Sequence, residues 1–84
     1  GLSSLLTSKG ALTVGGVAIT SGSQIVTVQT GEIEVVYTLT SALTTGRTLY
    51  VNGTAIGSVS SAGTTLRTTV TVSDSDEITI HFAT

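Results

Sequence analysis

Apolar and polar residues alternate along several short runs of the chain, which is the period of a half-buried β-strand. The clearest run spans residues 78–82, where Ile78, Ile80 and Phe82 share one face and Thr79 and His81 share the other. The same alternation predicts strands over 33–39, 66–72 and 24–29. The inward positions of these three runs are Ile33, Val35, Tyr37 and Leu39, then Val70 and Val72, then Val26 and Val28.

Short turn signals separate these runs. Asn52-Gly53 lies between Leu49-Tyr50-Val51 and Ala55-Ile56, and Asn-Gly favours a tight hairpin because both residues tolerate positive φ. Gly15-Gly16 indicates a second hairpin between Val14 and Val17. The run 73–76, Ser-Asp-Ser-Asp, predicts a turn before the last strand, since these side chains bond nearby backbone amides.

The fold class that follows is all-β: a small antiparallel β-sandwich or barrel of about seven short strands. Residues 11–84 form its single domain, and residues 1–10 form an N-terminal arm. Leu2, Leu5 and Leu6 follow a helical spacing in that arm, which is too short to be a stable helix alone. They are candidate interface residues, and the surface they cover is either an open edge of their own domain or a neighbouring subunit.

Composition narrows the classes of partner. Charged residues make up 10% of the 84 residues, and the only cations among the Lys and Arg side chains are Lys9, Arg47 and Arg67. Nucleic acids and anionic membranes are recognised by clustered Lys and Arg, so neither is expected as a partner. Cysteine is absent, which excludes disulfides and thiolate metal sites. Few charges give little repulsion between copies, which fits either association in a lattice or filament or a monomer with Thr-rich strand faces.

Candidate chemistry is sparse. His81 is the only histidine, and nucleophilic catalysis requires a base beside a nucleophile and an orienting group. Glu32 and Glu34 share one strand face. We interpret them as two solvated surface charges rather than as the paired carboxylates of a glycosidase. Asp74, Asp76 and Glu77 offer oxygens to calcium, although the predicted turn accounts for them. We therefore expect no catalytic residue, no metal site and no cofactor.

The run 46–82 resembles the small immunoglobulin-like and decoration β-domains of tailed-phage particles and bacterial surface proteins. The resemblance rests on 49–54, Leu-Tyr-Val-Asn-Gly-Thr, on the Gly-Thr-Thr of 63–65, and on the Thr-rich strand and acidic turn of 70–80. It implies a non-enzymatic domain, with an immunoglobulin-like arrangement as one version of the sandwich. The paired Cys and core Trp of antibody domains are absent.

These observations predict a structural or assembly module, such as a capsid or tail decoration protein or an extracellular filament subunit. It would reside on a virion or at a cell surface, without membrane insertion, and its partners would be copies of itself or a capsid, tail or filament lattice. The alternative is an adhesin-type module that binds a carbohydrate or protein. Tyr50 is then the stacking residue, because Tyr37 and Phe82 are expected in the core.

Overall fold

A computed structural model describes residues 4–20, 25–26, 30–73 and 76–83. It contains one short helix and nine strands in those ranges. In chain order they are α1 Ser4–Lys9, β1 Gly10–Val14, β2 Val17–Ile19, β3 Ile25–Val26, β4 Gly31–Leu39, β5 Arg47–Val51, β6 Thr54–Val59, β7 Thr65–Val72, β8 Glu77–Ile78 and β9 Ile80–Ala83.

The strands form two antiparallel sheets and one short ladder. Sheet I has the order β2-β1-β4-β7, sheet II has the order β6-β5-β9, and β3 pairs with β8. Buried residues of both sheets belong to one apolar core, so the sheets pack face to face. The prediction of a small all-β sandwich or barrel is confirmed, and the structure has the sandwich form, with nine described strands where about seven were expected. The fold is elongated, measuring 37 × 20 × 19 Å.

The strand faces follow the predicted alternation. In β4 every second residue from Ile33 to Leu39 is buried, and Tyr37 has no exposed surface. In β7 the even-numbered positions are turned inward and the odd-numbered positions are exposed. The fully or nearly buried core comprises Leu6, Leu12, Val14, Ile33, Val35, Tyr37, Leu39, Leu49, Val51, Val59, Val72, Ile78 and Ile80.

Both predicted hairpins are present. Gly15 and Gly16 join β1 to β2 with φ of 58° and 82°, and Asn52 and Gly53 join β5 to β6 with φ of 50° and 80°. Two successive positive φ values are the type I′ geometry that suits the twist of the flanking strands. The Asn side chain contributes a further bond that its sequence position did not reveal.

That bond divides the last predicted strand in two. The Thr79 N–H donates to Asn52 Oδ1 at 2.8 Å, and the Asn52 N–H donates to the Thr79 carbonyl at 2.8 Å. Thr79 is therefore bonded to the hairpin turn, and the run 78–82 becomes β8 and β9. Within the predicted strand 24–29, only Ile25 and Val26 lie among the described residues, where they form β3.

The acidic turn between β7 and β8 is held at its described ends. The Asp76 N–H donates to the Ser73 carbonyl at 3.0 Å, and Asp76 Oδ2 accepts a bond from the Ser73 N–H at 2.8 Å. These bonds are those that the Ser-Asp pattern predicts for a turn. Residues 74 and 75 lie outside the described ranges.

The short helix α1 is packed against its own domain. Leu6 is fully buried in the core, and its carbonyl accepts a bond from the Tyr37 hydroxyl at 2.8 Å. The Lys9 carbonyl accepts from the Thr40 and Ser41 N–H groups at 2.8 and 3.0 Å. The last carbonyls of a helix lack partners within the helix, so these bonds explain how six residues hold a helical turn.

Candidate assembly surfaces

The outer strand β7 has one side without a strand partner. It pairs with β4 over all eight of its residues and with no other strand of the described ranges. The Leu39 N–H donates to the Thr64 carbonyl at 2.9 Å, which fixes the phase of this antiparallel ladder. The residues of β7 whose backbone groups face β4 are thus Leu66, Thr68, Val70 and Val72. The backbone N–H and C=O groups of the other four residues face away from β4, namely those of Thr65, Arg67, Thr69 and Thr71.

This free edge has few of the features that normally block pairing with another chain. Edge strands are commonly protected by short length, by Pro, by Lys or by a β-bulge. β2 has only three residues, and β6 is irregular where it pairs with Leu49 and Tyr50. β9, the other edge of sheet II, has four residues. β7 is a regular strand of eight residues with one charged residue, Arg67. The Arg67 Nη1 lies 3.6 Å from Oε1 of Glu34 on β4. β7 is therefore the longest and least protected edge of the two sheets in the described part of the sandwich.

The outer face of sheet II carries the second surface feature. Tyr50 on β5 lies opposite His81 on β9, and their rings stack with centroids 5.1 Å apart and planes 8° from parallel. Both residues are half-buried. Each ring uses one face in this contact, so Tyr50, the stacking candidate of the adhesin alternative, has half of its ring surface committed within the fold.

The other aromatic residues lie inward, as the alternation predicts. Tyr37 is completely buried, and Phe82 is half-buried and packs on it edge to face with ring centroids 5.5 Å apart. Burial raises the pKa of the Tyr37 hydroxyl above its usual value. These two rings link β4 of sheet I to β9 of sheet II and belong to the core.

Of the three candidate interface leucines, only Leu6 has a side chain that the structure describes. The structure places Leu6 in the core of its own domain. Leu2 lies outside the described residues, and so does the side chain of Leu5. Of the two alternatives for the arm, the described part of α1 shows contact with its own domain.

The described residues contain no group of three or more His, Asp or Glu side chains that could hold a metal ion. Asp76 is engaged in its turn, and Glu32 and Glu34 are both exposed on the outer face of sheet I. His81 contacts Tyr50. Among the described residues, His81 on sheet II therefore lies apart from Glu32 and Glu34 on sheet I.

Comparison of the chain with protein families, curated proteins and solved structures finds no match. In the described ranges, no helix has the length and apolar character needed to cross a membrane.

Proposed function

We propose that this chain is a non-enzymatic assembly module whose copies associate through the free edge of β7. Such a module would serve as a decoration or filament subunit on a virion or at a cell surface. The observation that carries the proposal is the eight-residue unprotected edge strand on a fold with few charges. Strand addition uses backbone hydrogen bonds, so it requires no aromatic or charged pocket.

The register of two β7 strands follows from which backbone groups are free. In an antiparallel pair related by a two-fold axis, all four outward-facing residues can form bonded pairs only if the axis passes through Thr68. Thr65 then lies opposite Thr71 of the second copy, and Arg67 lies opposite Thr69. Four bonded residues on each strand give eight backbone hydrogen bonds. The two four-stranded sheets become one continuous sheet of eight strands.

Charge favours the same register. A shift of the axis by one residue to Arg67 would place the two Arg67 side chains directly opposite each other, which is unfavourable. With the axis at Thr68, Arg67 lies opposite Thr69, and Glu34 is the cross-strand neighbour of that Thr69. Each Arg67 then has a carboxylate in its own sheet and one in the same row of the second copy.

Replacing Thr69 tests the edge with a matched pair of variants. In Thr69→Pro the edge loses an outward N–H, whereas no bond to β4 is lost, because that N–H faces away from β4. Thr69→Ala removes the same side chain but keeps the N–H. We expect light scattering to show strong association for the wild type and Thr69→Ala and weaker association for Thr69→Pro, the difference being the contribution of the β7 edge. Circular dichroism checks that both variants fold. A monomeric wild type, or Thr69→Pro that associates like Thr69→Ala, contradicts the proposal.

A single cysteine tests the register. The chain has no cysteine, so Thr68→Cys introduces one thiol per copy, and the two thiols face each other across the proposed axis. Mild oxidation should convert this variant to a covalent dimer. Val70→Cys is the control, because Val70 lies opposite Leu66 in this register. Equal cross-linking of the two variants would contradict the placement of the axis.

A further inference from the structure

The charges of the chain are sorted along the direction of the strands. Lys9 precedes β1 and Arg47 begins β5, and both lie at the end of the sandwich that carries the 40–46 connection. Arg67 lies midway along the sheet, where it pairs with Glu34. Two of the three Lys and Arg residues therefore lie at one end, which we call the basic end.

The basic end contains a cleft. Its volume is about 190 Å³, which accommodates a carboxylate group, and none of the described acidic residues lines it. The lining residues are Lys9, Ala42, Leu43, Thr44, Thr45 and Arg47. Lys9 and Arg47 supply positive charge, and the two threonines supply hydroxyl donors.

Arg47, which lines this cleft, has one unsatisfied hydrogen-bond donor. Its Nε is buried and has no hydrogen-bond partner among the described residues. Buried polar atoms are nearly always hydrogen-bonded, and an unsatisfied one destabilises the fold. A planar guanidinium pairs best with a carboxylate, which can accept two parallel N–H bonds from it. The donor set thus points to an oxyanion as the ligand.

Carboxylates are concentrated at the opposite end of the same fold. Glu32 lies opposite Thr71 near the end of β7, Asp76 lies in the turn that follows it, and Glu77 begins β8. All three are exposed. We call this the acidic end. Because the fold is 37 Å long, one copy cannot bring its acidic end to its own basic cleft.

We propose that the cleft between Lys9 and Arg47 binds a carboxylate from the acidic end of a second copy, joining chains head to tail. The inference rests on the proposed role in assembly and adds a contact distinct from β7. This contact is heterologous, since two different surfaces meet, and repeating it produces an open chain or a closed ring. Charge complementarity between the two ends specifies the partner and the polarity.

Two variants remove the charges of the basic end and of the acidic end separately. The basic-end variant is Lys9→Gln with Arg47→Gln, and the acidic-end variant is Glu32→Gln with Glu77→Gln. Asp76 is retained because its side chain holds the turn. The control is Glu34→Gln with Arg67→Gln, which removes the central pair. Lys9→Gln alone serves if the loss of Arg47 impairs folding.

The experiment is done in the Thr69→Pro background, so that the β7 contact is absent. We expect this protein and its control variant to associate by light scattering, with association lost in molar salt, where screening lengths fall to about 3 Å. Each end variant alone should associate roughly tenfold more weakly, the effect of losing two exposed pairs. An equimolar mixture should form dimers and nothing larger, because each dimer joins the remaining acidic end to the remaining basic cleft.

The outcomes separate the two proposals. If both end variants associate as strongly as the Thr69→Pro background, or if their mixture stays monomeric, the head-to-tail contact is refuted. That result leaves the β7 contact intact, because the difference between Thr69→Pro and Thr69→Ala measures it independently. Conversely, equal association of Thr69→Pro and Thr69→Ala refutes the β7 contact while the end variants still report on the cleft.

Discussion

Replacing Leu6 by alanine tests whether α1 belongs to the core of its own domain. Leu6 has no exposed surface and lies within the single apolar core. The change removes three carbon groups, whose transfer free energy is about 0.8 kcal/mol each, or roughly 2.4 kcal/mol. The cavity left behind adds to this cost, and buried Leu→Ala changes typically cost about 2–5 kcal/mol in total.

The structure indicates a value toward the lower part of that range. α1 has only six residues, so it can shift toward the cavity more easily than a strand bonded on both sides. We therefore expect a loss of about 3 kcal/mol. An 84-residue domain has a total stability of roughly 4–13 kcal/mol, so the loss is a large fraction of it. At about 4–8 °C per kcal/mol, Tm should fall by roughly 12–24 °C.

Urea unfolding followed by circular dichroism measures this effect, at a protein concentration where the chain is monomeric. Ser8→Ala is the control, because Ser8 is exposed on the same helix and its replacement should change stability by less than about 0.5 kcal/mol. If Leu6→Ala costs no more than Ser8→Ala, α1 is not packed in the core. If it instead reduces association without reducing monomer stability, Leu6 serves a neighbouring subunit.

Two further predictions concern single hydrogen bonds between distant parts of the chain. Tyr37→Phe leaves the Leu6 carbonyl without its 2.8 Å partner and should cost about 1–3 kcal/mol. Because burial raises the Tyr37 pKa above 10.0, wild-type stability should be unaffected below that pH and fall as pH rises beyond it. Tyr37→Phe should lack that part of the fall in urea unfolding at pH 8 and 11, and parallel curves would contradict the assignment. Asn52→Gly keeps positive φ but loses the bond to Thr79, so it should cost about 1 kcal/mol, and Asn52→Ala should cost more in thermal unfolding. Equal values for these two variants would contradict a role for backbone strain.

The parts of the fold that depend on residues close together in the sequence were predictable from it. The alternation over 33–39 specified the buried face of β4, because a strand with one face in the core shows a period of two. Both type I′ turns were predictable because few residue pairs tolerate positive φ at two successive positions. The interruption at Thr79 was not predictable, since it requires Asn52, which is distant in sequence, to reach it.

The candidate surfaces depend on which strands are neighbours, and the alternation contains no such information. The run 66–72 predicted a strand, yet nothing in it distinguishes an edge strand from a central one. Likewise, Lys9 and Arg47 are 38 positions apart and line one cleft only because β1 pairs with β4 and the 40–46 connection returns to β5. The helical spacing of Leu2, Leu5 and Leu6 predicted an apolar face. That Leu6 packs in its own domain could not be predicted, because it depends on contact with β4, where the Tyr37 hydroxyl donates to the Leu6 carbonyl.

The two proposed contacts are compatible because they extend the assembly in perpendicular directions. The β7 contact joins copies side by side, across the strands, whereas the contact between basic and acidic ends joins copies along the strand direction. A two-fold axis through Thr68 reverses the direction of the second copy, so each end of a β7-paired dimer presents one basic cleft and one acidic turn. Two successive dimers can then form two end contacts at once, and the second contact benefits from the proximity created by the first. Individually weak, salt-sensitive contacts at the ends would thereby extend a paired strand edge into a continuous ribbon.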